Sequence, residues 1–136
     1  VSYSDDGEVM EFALDMAAAY VPEAKAEAYR REFMFDRAAN TISVHDEVRL
    51  NACDQPTRVP LLCAVRPQLE EGRAVIGQLE LRYDPQLFTA SVEEKPFNDA
   101  KLEHIWQQKS LWRMILTRRE KAAHDGWTLE YRMAKE

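Results

Sequence analysis

Three histidines, His45, His104 and His124, are the side chains of this 136-residue chain whose type best suits proton transfer near neutral pH. They lie far apart in sequence and share no metal-ligand spacing. His45 falls in an alternating run, on the same side as Ser43, Glu47 and Arg49, where a solvated neighbourhood with Glu32 is expected. His124 falls in a loop and is expected in solvent. Cys53 and Cys63 are separated by nine residues that include Pro56 and Pro60. A disulfide between them is geometrically open, but two cysteines make no framework, and two free, partly buried thiols are expected. Glu70-Glu71 and Glu93-Glu94 are adjacent pairs, which a strand would point to opposite faces, so neither reads as a glycosidase couple. The sequence carries no glycine-rich phosphate loop and no nucleophile elbow. We therefore assign no catalytic residue, no metal ligand and no cofactor.

Aromatic rings offer a second kind of chemistry, because sugars stack on exposed ones. Tyr83, Trp112 and Tyr131 sit in regular apolar stripes and are expected in the core. Tyr20 and Trp106 lie outside clean alternation, and His104 neighbours Trp106. Tyr20, His104 and Trp106 are the candidate substrate-contact residues. For Tyr20 and Trp106, burial against a neighbouring domain is favoured over direct sugar contact.

Charge narrows the partners. With 24 acidic against 18 basic side chains, the net charge is −6, and no basic block interrupts the acidity. Nucleic-acid binding depends on neutralising phosphates with Lys and Arg, so it is not expected. The same balance weakens a grip on a sulfated or uronic polymer by this chain alone. No apolar run approaches the ~18 residues of a membrane span, and no membrane partner is expected. Val1 to Met10 is polar and acidic, unlike a signal peptide. The chain begins without Met, and we expect it to be a piece of a larger protein, with its compartment open.

The elements that would position these residues are strands. From Ala28, Tyr29, Phe33 and Phe35 alternate with polar or flexible positions. After Arg37 to Asn40, Ile42, Val44, Val48 and Leu50 alternate with Ser43, His45, Glu47 and Arg49. Period two predicts two strands with one buried face, and Asn40 suits a left-handed turn position. With residues 37 to 40 as the loop, Phe35 faces Ile42, Phe33 faces Val44 and Tyr29 faces Val48. On the outer side Arg30 falls opposite Glu47 and Glu32 opposite His45. Asp46 interrupts the apolar face, and its cross-strand neighbour is Arg31. A lone buried carboxylate is costly, and a facing guanidinium satisfies it through two hydrogen bonds. A structural Arg31–Asp46 ion pair is therefore predicted.

Further along, Leu79, Leu81 and Tyr83 alternate, Asp84-Pro85-Gln86 signals a turn, and Phe88, Ala90 and Val92 form the next stripe. Trp112, Met114 and Leu116 alternate near the end, then Trp127, Leu129, Tyr131 and Met133, joined as a hairpin across a loop at Glu120 to Gly126. Glu8 to Tyr20 and Pro60 to Arg66 read as strands and Pro67 to Gly72 as a turn. Asn98 to Gln107 is either a short helical turn or an edge strand. Short strands punctuated by turns over residues 1–136 predict one all-β domain, an antiparallel β-sandwich.

Three stretches taken together resemble the C-terminal β-rich region of the heparinase II/III family of polysaccharide lyases. They are Asp15 to Tyr20 followed by Tyr29 to Asp36, then Asn40 to Leu50, and last Leu79 to Asp84 with His104-Ile105-Trp106 and Leu111 to Thr117. The resemblance spans nearly the whole chain and rests on the order and spacing of strand patterns. It implies an α-helical toroid upstream in the same parent chain. It also implies cleavage of uronic-acid polysaccharides by β-elimination, in which a base removes the C5 proton and the 4-linked sugar departs. The family's catalytic and metal-binding positions lie upstream of this region, so none is carried over. The chain alone is expected to be inactive, as an accessory sandwich that packs against the catalytic domain, supports its cleft and meets acidic polysaccharide where it lines one wall of that cleft. The family favours a periplasmic or secreted location, with cytoplasmic members conceivable. The alternatives are a free-standing carbohydrate-binding module and a self-association sandwich.

Overall fold

The structure is a computed structural model that describes residues 1–133. It is all-β, an antiparallel sandwich of an eight-stranded and a three-stranded sheet. In chain order the strands are β1 (Ser2–Asp5), β2 (Val9–Asp15), β3 (Ala26–Asp36), β4 (Thr41–Leu50), β5 (Arg58–Cys63), β6 (Gln68–Glu70), β7 (Arg73–Ile76), β8 (Leu79–Arg82), β9 (Phe88–Pro96), β10 (Ser110–Arg118) and β11 (His124–Met133). A short helix, α1 (Ala100–Trp106), joins β9 to β10. The large sheet runs β1-β2-β3-β4-β11-β8-β7-β6 and the small one β5-β10-β9.

The β3–β4 hairpin has Phe35 opposite Ile42, Phe33 opposite Val44, Arg31 opposite Asp46 and Tyr29 opposite Val48. Its tight turn depends on two local devices. Asn40 takes a left-handed φ of 51°, which asparagine tolerates better than most residues. Asp36 Oδ1 accepts the Ala39 N–H at 2.8 Å. A one-residue slip would invert every side chain, so the buried Val44 and Val48 hold the register. The outer face differs in detail. Arg30 lies opposite Glu47 but bonds Glu32 along its own strand at 2.7 Å. His45 lies opposite Glu32 but its Nδ1 meets Thr128 Oγ1 at 2.9 Å. On an exposed face a long side chain reaches several neighbours, and register alone does not select one.

The expected C-terminal hairpin does not form. β10 pairs with β5 and β9, whereas β11 pairs with β4 and β8, so the connection crosses from the small sheet to the large one. The connection after β8 does the same around Asp84-Pro85-Gln86, placing β9 in the other layer. Two apolar stripes bury each other equally well across a hairpin or across the interior, and alternation does not distinguish them. The expected loop at Glu120 to Gly126 is also shorter, because β11 starts at His124. The strand expected over Glu8 to Tyr20 stops at Asp15, whose Oδ1 accepts the Ala17 N–H at 3.1 Å and opens a 3₁₀ turn over Ala17–Ala19. Pro67 to Gly72, expected as a turn, contains the short edge strand β6. Asn98 to Gln107 is helical: Asp99 Oδ1 accepts the Lys101 N–H at 2.7 Å, and Gln107 ends α1 at a left-handed φ of 53°.

The core lies where the small sheet covers the large one. Cys63, Phe88, Met114 and Leu116 from the small sheet and the segment entering it meet Val48, Ala74, Leu81, Tyr83, Trp127 and Leu129 beneath. Phe88 meets Trp127 edge to face, with centroids 5.9 Å apart. Each buried Val, Leu, Phe or Met side chain among them contributes about 1.5–3 kcal/mol. The small sheet is too narrow to cover the rest. Phe12, Phe33 and Phe35 lie on the same inner face of β2 and β3 and are only partly buried, while Ile42 on β4 is 41% exposed and Tyr3 on β1 is 65% exposed.

Candidate binding groove along β5

The candidate contact residues do not converge. His104 and Trp106 ride on α1, exposed, at the end of the small sheet where Ser110 faces Pro96. Tyr20 follows the 3₁₀ turn before β3, and its ring lies 5.5 Å from that of Tyr29. It borders the same cavity as Arg58, at the opposite end of β5 from Cys63 and its partner Trp112. Tyr20 and Trp106 are each 47% exposed.

Tyr20 opens instead onto a groove that sequence reading does not foresee. β5 is an edge strand of the small sheet, and its free side overhangs the inner face of β3 and β4. One cavity of about 370 Å³ is bordered by Tyr20, Tyr29, Thr57, Arg58 and Trp127. A second of about 510 Å³ is bordered by Phe33, Ile42, Leu62 and Tyr131. They share Arg31, Val59 and Pro60, and so form one groove along β5. Pro60 has no N–H to offer at this edge, a feature that discourages pairing by another strand.

Arg31 sits at the middle of this groove. Its Nε and Nη2 donate to Asp46 Oδ1 and Oδ2 at 2.6 and 2.8 Å, and Nη2 also donates to the Tyr29 hydroxyl at 3.0 Å. Asp46 is fully buried behind it. The hydrogen bonds to Asp46 hold the Arg31 guanidinium above its ordinary range. Burial, with the nearby Asp46 charge, pushes the Tyr29 phenol up, and burial does the same to Tyr131. All three shifts reinforce the protonation state each group has at neutral pH.

Two other charged clusters are structural. Arg118 donates from Nε and Nη2 to Asp125 at 2.7 and 2.8 Å, joining β10 to β11 across the two sheets, and its guanidinium lies 5.3 Å from the Phe88 ring centroid. Asp125-Gly126 reads as a turn dipeptide in sequence, which hides this pair. On the outer face Glu80, 5% exposed, accepts from Arg73, Arg82 and Arg132. Arg82 first, then Arg132, holds its carboxyl below the usual range. Cys53 and Cys63 are both free, and burial raises the Cys63 thiol. Among the described residues no group of three His, Cys, Asp or Glu side chains is placed to hold a metal ion.

No protein-family model matches the chain, and a search of curated proteins likewise returns no match.

Proposed function

We propose that this chain is the C-terminal accessory β-sandwich of a heparinase II/III-like polysaccharide lyase, packed against the catalytic domain of the same parent protein. One observation supports the reading most: the inner face of β1 to β3 carries an apolar strip of Tyr3, Phe12, Phe33 and Phe35 that the small sheet leaves uncovered. Phe12 and Phe33 meet there with ring centroids 6.0 Å apart, beside the exposed Tyr3 and Ile42. A contiguous apolar strip of this kind marks an interaction surface, and a neighbouring domain is a partner that can cover it permanently. Around the groove, the hydrogen bonds to Asp46 raise the Arg31 guanidinium and burial raises the Tyr29 and Tyr131 phenols, which fits a supporting role with the β-elimination chemistry residing elsewhere.

The test compares the 136-residue chain with its parent protein on uronate polymers, following the ultraviolet absorbance of the unsaturated product. The parent is expected to generate absorbance and the chain alone none. Introducing Phe33→Asp into the parent is expected to weaken the contact between domains and lower both activity and thermal stability. Absorbance growth with the chain alone would refute the accessory role.

A further inference from the structure

The apolar stripe at i, i+3 and i+4 is ordinarily the face a helix buries, and α1 does the reverse. Leu102, Ile105 and Trp106 hold that spacing and are 40%, 60% and 47% exposed. No residue of α1 is buried. The segment that carries it is nevertheless tied down at its base. The Phe97 N–H donates to the Lys109 carbonyl at 2.8 Å, and Gln108 Nε2 donates to the Ala64 carbonyl at 3.2 Å. Asp99 caps the first turn, and Gln107 closes the last in a left-handed conformation. The β9–β10 connection is thus a held projection with three large apolar side chains open to solvent.

We propose that α1 is a membrane-surface anchor that seats Leu102, Ile105 and Trp106 in the interface of a zwitterionic bilayer. Size favours lipid over a protein occupant. α1 has 7 residues and is about 10 Å long, whereas a stable protein interface takes roughly 20–30 residues and about 800 Å² from each partner. A fluid interface needs no matching shape, and helix length does not limit the contact. The side chains suit that depth. A tryptophan places its apolar body among the acyl chains and its N–H at the headgroups. Lys101 and Lys109 flank the stripe, where a long stem covers apolar surface and the ammonium stays in water. Charge selects the headgroup. Across residues 98–109 these two lysines balance Asp99 and Glu103, so the net charge of −6 lies in the rest of the chain. A neutral tip on an acidic body fits a neutral surface, and the body is repelled by an anionic one. A contact of this depth needs no membrane-spanning helix, and none occurs among the described residues. It is also separate from the open strip, since α1 joins two strands of the small sheet and the strip belongs to the large one. The proposal stands whether or not the parent protein is a lyase.

The experiment mixes the 136-residue chain with phosphatidylcholine vesicles whose acyl chains carry bromine, and reads flotation together with tryptophan emission. The chain is expected to float with the vesicles and its emission to be quenched. Trp106→Phe, which keeps an apolar ring, is expected to float and to lose most of the quenching, because Trp127 is 4% exposed and out of reach of the lipid. Ile105→Glu and Trp106→Glu are each expected to weaken the partition by at least about tenfold. Both side chains are already exposed, so these variants should keep the thermal unfolding midpoint of the unaltered chain. Tyr3→Asp, on the open strip, is expected to leave flotation unchanged, and adding phosphatidylglycerol to the vesicles is expected to weaken it. The proposal is overturned by an absence of flotation, by flotation that survives either glutamate, or by its loss with Tyr3→Asp. Tighter binding to the anionic vesicles overturns it as well, as does self-association through Trp106 in place of lipid binding. An absence of elimination activity would bear only on the lyase reading.

Discussion

The two halves of the large sheet are built from the same alternating pattern and end in opposite situations. Under the small sheet, Ala74 and Leu81 have no exposed surface and Trp127 retains 4%. Toward β1 the inner face carries side chains just as large, and Phe12, Phe33 and Phe35 remain partly open. The difference is not one of local sequence, since both halves have period-two strands with apolar residues on one side. It arises because three strands cannot cover eight. One half of the sheet is a finished core, and the other is a surface with the chemistry of a core. The groove marks the boundary between them, where the small sheet stops at β5.

Substitutions can break or sharpen this contrast, and the largest effects belong to the buried charge and the covered core. Arg31→Met strands the Asp46 carboxylate, whose side chain is 1% exposed, and is expected to cost about 3–5 kcal/mol in denaturant unfolding. Adding Asp46→Leu should recover much of the loss, because a buried pair replaced on both sides by apolar groups is often neutral. If the double variant is as unstable as the single one, the pair does more than fix register. Phe88→Ala, in the covered half, is expected to cost about 3–5 kcal/mol. Phe33→Ala, in the uncovered half, should cost about 1 kcal/mol, since only part of its ~1.5–3 kcal/mol of burial is realised. Equal costs for the two phenylalanines would show that the open half is covered in solution.

The smallest effect is a titration at the far edge. Asp5 on β1 is paired with Arg37 through two oxygens at 2.8 and 2.9 Å, and this pairing, with the Gly7 N–H, lowers its pKa from 3.8 to about 2. A folded value below the unfolded one means that the pair supports the fold above pH 3.8 and loses that support as the pH falls through about 2. The Asp5 carboxyl should accordingly titrate near 2 by NMR, and Asp5→Asn should remove that part of the acid dependence. A midpoint at the ordinary carboxylate value would mean that β1 is not held by this pair.

Much of the hairpin was legible because its information is local. Asn40 and the four-residue loop set the turn, and alternation then places Arg31 opposite Asp46 with no freedom left. The candidate contact residues were less legible. Tyr20 was separable from the core stripes by its broken alternation, and it does lie at the groove. His104 and Trp106 share that signal but sit on α1 at the other end of β5. Arg58, Thr57 and Pro60 gave no sign of lining a groove, since an exposed arginine at the start of a strand looks like any other. Arg118–Asp125 was hidden for a different reason: its two residues belong to strands that read as a hairpin and lie in opposite sheets.

The amino-acid sequence alone determined which side chains share a face, where the chain turns, and which carboxylate needs a guanidinium opposite it. Those properties follow from the two-residue period of an extended backbone and the sterics of a few turn positions. Only the tertiary structure decided which sheet each strand joins, how far the small sheet reaches, and that a groove opens beside β5. Those outcomes depend on contacts between residues far apart in sequence, and an apolar stripe is buried equally well by a strand beside it or a sheet above it.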